Sequence, residues 1–306
     1  MSNNEDLTLC CANCGKGEEE SSSLKACAAC KMVKYCSRDC QIAHRPQHKK
    51  ECKRRAAELH DEELFKEPPP LEDCPICFER MPTLRPTGSK YQTCCGKVIC
   101  SGCMHAPVYD HQGNKVNNEK CPFCRTPAPD THEEHVRRQQ RRMKAGDAKA
   151  IHNFGCFYRD GTDGCIQSYT KALELYHQAA ELGYSNAYCN IGTAYLHGRG
   201  GVEVDKKKAI HYYELAAMKG NVVARHNLGV LDMNACNMGR AVKHFLIAVR
   251  SGYTDSLGNI KQLYSNGLAT KDDYTKALQS YQVYLGEIKS KQRDEAAAFT
   301  DEYRYY

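Results

Sequence analysis

The sequence predicts two small zinc-binding modules followed by an all-α helical-repeat solenoid, and three observations carry that prediction. Of the 20 cysteines, 16 lie before residue 125, most of them in closely spaced pairs of the CxxC type. Pro68, Pro69 and Pro70 divide those pairs into two clusters. From Asp147 onward the chain repeats, with Gly155, Gly192 and Gly229 each 37 residues apart.

The second cluster, Cys74 to Arg125, organises the chain. It holds eight thiols in four pairs: Cys74 and Cys77, Cys94 and Cys95, Cys100 and Cys103, Cys121 and Cys124. A CxxC turn lets two thiolates reach one ion at about 2.3 Å each, so eight ligands complete two tetrahedral zinc sites. A segment this small gains at most about 3–5 kcal/mol from an apolar core, whereas a structural zinc supplies roughly 10–16 kcal/mol. The metal is expected to fold it.

Residues 74–125 resemble a RING finger, the cross-braced zinc module of ubiquitin ligases. The resemblance implies that the first and third pairs (Cys74, Cys77, Cys100, Cys103) share one ion and the second and fourth (Cys94, Cys95, Cys121, Cys124) share the other. The family's second pair is usually a cysteine and a histidine; here Cys94 and Cys95 are adjacent and Lys97 stands where that histidine often falls. Adjacent side chains diverge, so the backbone must kink for both to bind, which Gly96 permits. His105 or His111 is the fallback ligand. The resemblance further implies a docking surface for a ubiquitin-conjugating enzyme at Ile76, Pro122 and Arg125, with Arg125 clamping enzyme and ubiquitin through several hydrogen bonds.

The first cluster offers another eight ligands in four pairs: Cys11 and Cys14, Cys27 and Cys30, Cys36 and Cys40, His48 and Cys52. The string YCSRDCQIAHRPQHKKEC places it as similar to the MYND finger, over residues 11–52. That resemblance implies one zinc on Cys11, Cys14, Cys36 and Cys40 and another on Cys27, Cys30, His48 and Cys52, giving four zinc ions in the whole chain. His48 and Cys52 lie one helical turn apart and can point at one ion. Cys10 could replace Cys11 and His44 could replace His48; CxxC spacing favours Cys11, and the family pattern makes His44 a packing residue. Arg45 stands where the family often has tryptophan, which removes an aromatic platform for a proline-rich ligand.

Composition narrows the rest. Cysteine pairs at ligand spacing point to metal rather than disulfides, hence to a reducing compartment, the cytosol or nucleus. No apolar run reaches the roughly 18 residues of a membrane span, and the polar start lacks a signal peptide's apolar stretch, so no membrane partner is expected. The formal charge of +6 does not argue for nucleic acid, because four zinc ions with fifteen bound thiolates turn it into −1. The basic runs at Lys49–Arg55 and Arg137–Arg142 read as solvated helix faces.

The remaining segments follow. Residues 1–10 form a disordered tail, and 53–73 a helix and proline-rich linker. Residues 126–146 form a basic linker helix, 147–286 four repeats and 287–306 a C-terminal tail. Within a repeat the apolar spacing is helical, as at Ala172, Leu175, Tyr176, Ala179 and Ala180, and Gly183, Gly220 and Gly252 end each second helix. The units resemble Sel1-like repeats, relatives of the tetratricopeptide repeat, most clearly in NIGTAYLHGRGGVEVDKKKAIHYYELAAMKG. Cys156, Cys165, Cys189 and Cys236 have no partner at ligand spacing and read as core or loop residues.

No nucleophile with a base, phosphate loop or open three-ligand metal site is present in the sequence, so any catalytic role is that of an adaptor. The expected function is a RING-type ubiquitin ligase that positions a charged conjugating enzyme while the repeats and the MYND finger recruit a protein substrate. The alternative is a non-catalytic zinc-finger and helical-repeat scaffold for protein–protein interaction.

Overall fold

The computed structural model describes residues 10–17, 24–70, 72–83, 88–106, 108–109, 112, 115–116 and 120–305. The expected tail at 1–9, residues 18–23 within the first cysteine cluster and His111 lie outside the described residues. The chain divides into two compact units, Met1–Lys66 and Glu67–Tyr306.

In the first unit a two-residue antiparallel ladder, β1 (Lys25–Ala26) with β2 (Lys34–Tyr35), precedes α1 (Arg38–Leu64). Ser37 caps α1 by accepting from the Cys40 N–H. The last part of the finger and the helix expected after it form one continuous helix, with Pro46 inside it. The outer face of α1 is held by charge: Arg54 pairs with Glu51 and Glu58, and Arg55 with Glu58 and Glu62. Two arginines of the basic run are thereby engaged within the helix itself.

The second unit begins with the second cysteine module. Its β3 (Ser89–Tyr91) and β4 (Val98–Cys100) pair antiparallel, α2 (Ser101–His105) follows, and β5 (Val108–Tyr109) pairs with β6 (Lys115–Val116). Ten α-helices among the described residues complete the unit, beginning with α3 (His132–Lys144) and α4 (Ala148–Asp160). Then come α5 (Tyr169–Glu181), α6 (Ser185–His197), α7 (Lys206–Met218), α8 (Val222–Asn234), α9 (Met238–Arg250), α10 (Thr254–Ser265), α11 (Lys271–Ile288) and α12 (Lys291–Phe299).

Helices α4 to α11 are four antiparallel hairpins. A Cβ at Gly155, Gly192 or Gly229 would lie 2.6, 2.8 or 2.5 Å from the ring of Tyr176, Tyr213 or Phe245. The 37-residue glycine period therefore exists so that an aromatic of the second helix can lie against the backbone of the first. The second helices end as the sequence requires. Gly183, Gly220 and Gly252 are left-handed (φ +85, +83 and +89), and the following N–H reaches back to Ala179, Ala216 and Ala248 at 3.0–3.1 Å. This is the Schellman arrangement, which satisfies carbonyls that the helix end would otherwise orphan. In the third hairpin the long loop shrinks to three residues, and Cys236 takes the left-handed position (φ 60).

Three segments read as connectors are packed. Gln139 of the linker helix α3 is buried and donates to the Ala150 carbonyl of α4 at 3.5 Å, while Arg142 pairs with Asp147 at 2.8 Å. The proline segment lies on the solenoid, with Glu67 paired to Arg250 at 2.6 Å and Pro69 beside Gly220. The C-terminal tail is helix α12 and a 3-10 turn (Asp301–Tyr303), and it returns to the cysteine module, where α12 packs on α2.

Candidate metal centres

The described residues contain four groups of four donors, each with its ligand atoms within 4.8 Å of one another. They are Cys11, Cys14, Cys36 and Cys40; Cys27, Cys30, His48 and Cys52; Cys74, Cys77, Cys100 and Cys103; and Cys94, Cys95, Cys121 and Cys124. The two sets within each module interleave along the chain. Cys10, His44 and His105 belong to none of them.

Local structure explains how they assemble. Cys11–Gly15, Cys27–Lys31, Cys74–Phe78 and Cys121–Arg125 are the same turn, closed by the fifth N–H on the first carbonyl at 2.9–3.0 Å. The fifth residue is left-handed each time: Gly15 (φ 73), Lys31 (φ 56), Phe78 (φ 58) and Arg125 (φ 63). For the three non-glycine residues that geometry costs about 1–2 kcal/mol each, a strain the metal's folding energy offsets. Cys40, His48 and Cys52 project from α1 at spacings of eight and four. Cys100 caps α2, and Cys103 lies within it.

A fifth turn of the same kind explains the adjacent cysteines. Gly96 donates to the Gln92 carbonyl at 2.7 Å with φ 73, so Gln92 occupies the place that a cysteine holds in the other four. Cys94 and Cys95 are the third and fourth turn positions rather than the first and fourth. Gly96 is not a hinge between them but the left-handed residue that closes the turn.

The fit to zinc can be tested on distances. Four thiolates about 2.3 Å from an ion, at tetrahedral angles, stand about 3.8 Å apart. The sulfur pairs Cys14–Cys36, Cys36–Cys40, Cys27–Cys52, Cys77–Cys100, Cys95–Cys121 and Cys94–Cys124 lie at 3.5, 3.6, 3.7, 3.8, 4.0 and 3.3 Å. His48 Nε2 lies 3.2 Å from Cys30 Sγ. The residues fit the ion.

The electrostatics agree. Cys74 is brought down to about 4 by its hydrogen bond with Cys100 and by backbone N–H groups, against burial, while Cys100 is pushed up. Burial raises Cys11, Cys27 and Cys124, yet hydrogen bonds bring each down to about 6: backbone N–H groups lead at Cys11 and Cys27, and Thr126 leads at Cys124. Cys36 and Cys52 rise to about 12, and Cys94 rises as well. Each group thus has at least one thiol ready to ionise, the first having both Cys11 and Cys40, and a neighbour that resists, as expected where like charges crowd.

Around the histidine site, Tyr35 is buried with its hydroxyl 3.1 Å from His44 Nδ1, and His44 stacks on His48 with ring centres 5.6 Å apart. His44 positions the ligand ring. His105 instead packs against Phe299 and Tyr303, at 4.7 and 5.9 Å.

Of the residues assigned to partner docking, Ile76 is half-buried against the core of the module, Pro122 is half-exposed and Arg125 is exposed. Sequence reasoning passed over two apolar residues of the same turns, Phe78 at 79% exposure and Phe123 at 43%. Their signal was available: each is a large apolar residue in a zinc turn, which offers little core to bury it.

With this geometry in hand, comparisons place the parts. The MYND finger family model matches residues 11–52, and the Sel1 repeat model matches 148–184, 185–221 and 256–279. The chain thus carries a MYND finger and Sel1 repeats, and the third hairpin has the repeat's shape without matching its model. A 48-residue stretch is 48% identical to SET domain and MYND-type zinc finger protein 6 of Schizosaccharomyces pombe, covering 16% of this chain and 9% of that protein. Another of 57 residues is 39% identical to E3 ubiquitin-protein ligase DA2 of Arabidopsis thaliana, covering 19% and 12%. The chain therefore spans only about a tenth of these relatives' length. Among solved structures, a Sel1 repeat protein from Oxalobacter formigenes aligns at TM-score 0.46 and 26% identity over 53% of this chain and 67% of that one. A protective antigen of uropathogenic Escherichia coli with an SLR fold aligns at 0.43 and 22%, over 57% and 38%. Those scores are too low to carry the fold, which rests on the repeat model and on the helices themselves. No helix among the described residues is long and apolar enough to cross a membrane.

A zinc-binding region followed by protein-interaction repeats defines the coarse class: a zinc-finger protein built for protein–protein contact.

Proposed function

We propose that the second cysteine module is a RING-type finger, and that the chain is a ubiquitin ligase adaptor whose repeats and MYND finger recruit a protein substrate. The observation that supports this reading most is the interleaving of ligands within Cys74–Cys124, first pair with third and second with fourth, which gives a cross-brace. The similarity of a finger-sized stretch to a plant E3 ubiquitin-protein ligase points the same way.

In this reading each finger holds two zinc ions, four in all, and their chemistry is structural. All ligand positions are filled by protein, leaving none open for substrate. The chain's own residues do the work by positioning. Ile76, Pro122 and Arg125 contact the conjugating enzyme, and the exposed rings of Phe78 and Phe123 add apolar area beside them in sequence. Arg125, exposed and held in a left-handed turn, presents its guanidinium to the enzyme–ubiquitin thioester. Such an adaptor works in a reducing compartment, the cytosol or nucleus, where thiols stay available for metal.

The test is autoubiquitination of the purified chain against a panel of conjugating enzymes. Ile76→Ala and Phe78→Ala are expected to lower transfer with zinc content unchanged, and Arg125→Ala to lower transfer more than enzyme binding. Equal transfer by all three variants would refute the docking surface. Inactivity of the wild type with every enzyme tried would leave the scaffold reading, which Lys97 in the place of the family histidine favours.

A further inference from the structure

Helix α12 lies 165 residues or more beyond the last metal ligand in sequence, yet its Arg293 is fully buried against the first zinc turn of the second module. The guanidinium donates to the Arg80 carbonyl at 2.7 Å and the Ile288 carbonyl at 2.6 Å, and a second nitrogen lies 3.3 Å from the Glu79 carbonyl and 4.0 Å from Cys77 Sγ. Beside it the Gln292 amide oxygen lies 3.8 Å from Cys103 Sγ. Nor is the approach loose: a Cβ at Gly102 of α2 would meet the backbone nitrogen and Cγ of Arg293 at 3.0 Å.

Burying an arginine is costly unless negative charge compensates it. Among the described residues no carboxylate lies within ion-pair distance of Arg293; the sulfurs of Cys77 and Cys100 face it, with Cys77 Sγ at 4.0 Å, and the Glu79 carboxylate acts on it from beyond that distance. A zinc ion bound by four thiolates carries a net charge of two minus, and such a site gains from donors and positive charge placed just outside its ligands. Cys94, Cys95, Cys121 and Cys124 receive no such group from α12.

We infer that Arg293 is a positioning residue of the Cys74, Cys77, Cys100 and Cys103 metal site, an outer cation that the C-terminal helix delivers to its thiolates and through which metal retention is coupled to docking of α12. The inference needs the four-cysteine site but not ubiquitin transfer, so it survives if the ligase reading fails.

The test uses the full chain loaded with cadmium, in which each site gives its own NMR resonance, together with site-resolved metal loss to a chelator. In Arg293→Gln the resonance of this site is expected to move and its metal to leave about tenfold faster, with the other three unchanged. Arg293→Lys, which keeps the charge, should restore most of the retention; Arg293→Met, which keeps the bulk and loses the charge, should not. An unmoved resonance with unchanged release in Arg293→Gln would overturn the inference. So would retention restored by Met and not by Lys, which would mark a packing role, or an equal change at all four sites, which would mark general unfolding.

Discussion

The two metal sites of the second module share a turn type and a donor set, but they are held in different ways. Cys74, Cys100 and Cys103 are buried beneath α12, with Arg293 sealed among them. Cys77 of that group is half-buried; at the other site Cys121 is buried, but Cys94 and Cys95 are half-exposed and Cys124 is exposed. Its tie to the solenoid is polar: the Tyr91 hydroxyl donates to Asp147 at 2.9 Å, and Arg142 reaches the same carboxylate while lying against Gly96. Identical ligands therefore do not make equivalent sites. What differs is how much of the solenoid each site recruits, and only the sealed site is joined to the end of the chain.

Metal removal should have the largest effect. A strong chelator at neutral pH is expected to unfold both cysteine modules, since each structural zinc supplies roughly 10 kcal/mol or more. Helices α4–α11, which have their own apolar clusters, should persist in the far-ultraviolet circular dichroism spectrum. Loss of that helical signal along with the metal would show that the modules hold the solenoid, rather than the reverse.

Steric change at two glycines comes next. Gly102→Val at the sealed site drives side-chain atoms into the backbone of α12 and is expected to cost about 2–3 kcal/mol, with α12 becoming sensitive to protease. Gly96→Ala at the open site is strained by its φ of +73 and meets mainly the flexible end of Arg142; it should cost about 1–2 kcal/mol and leave α12 protected. Comparable release of α12 by both would erase the distinction.

Acid acts on the scaffold as well as on the thiols, and the two can be separated. Burial lowers His152 to about 4, so its contribution to stability is complete above its unfolded value near 6.5 and is lost as pH falls from there toward 4. By pH 5 the His152 share of the loss should reach about 2 kcal/mol in urea unfolding; His152→Gln should lack that share and keep the loss due to His244, which burial lowers to about 3. Metal loss that follows the same pH course in both chains is then a property of the sites. The smallest effect belongs to Tyr91→Phe, which removes one hydrogen bond to Asp147 and should cost about 1 kcal/mol without altering Arg293.

Much of this architecture was legible in the sequence. CxxC spacing located the turns, and glycine periodicity located the hairpins, because each reflects a backbone need that few residues meet. Gly183 and Gly220 were read as helix ends for that reason and are left-handed. Helix α12 was not legible. The stretch KQRDEAAAF has no broad apolar stripe; a buried arginine and a close backbone approach to Gly102 hold it, and neither leaves a periodic trace. The adjacent cysteines were half legible. Their turn could have been recognised by aligning Gln92 to Gly96 with the four CxxC turns, but without a cysteine at the first position the register is visible only from the hydrogen bonds. The continuity of α1 was hidden by Pro46, which sequence rules treat as an interruption.

The most direct test of sealed against open is hydrogen exchange across α12 in two ligand variants. In Cys100→Ser the site beneath Arg293 loses a ligand, and residues 291–299 are predicted to exchange far faster than in the wild type, while the Tyr91–Asp147 contact keeps β3 protected. In Cys94→Ser one metal is predicted to be weakened or lost with α12 as protected as in the wild type. Equal protection of α12 in both variants, or equal loss, would contradict the account.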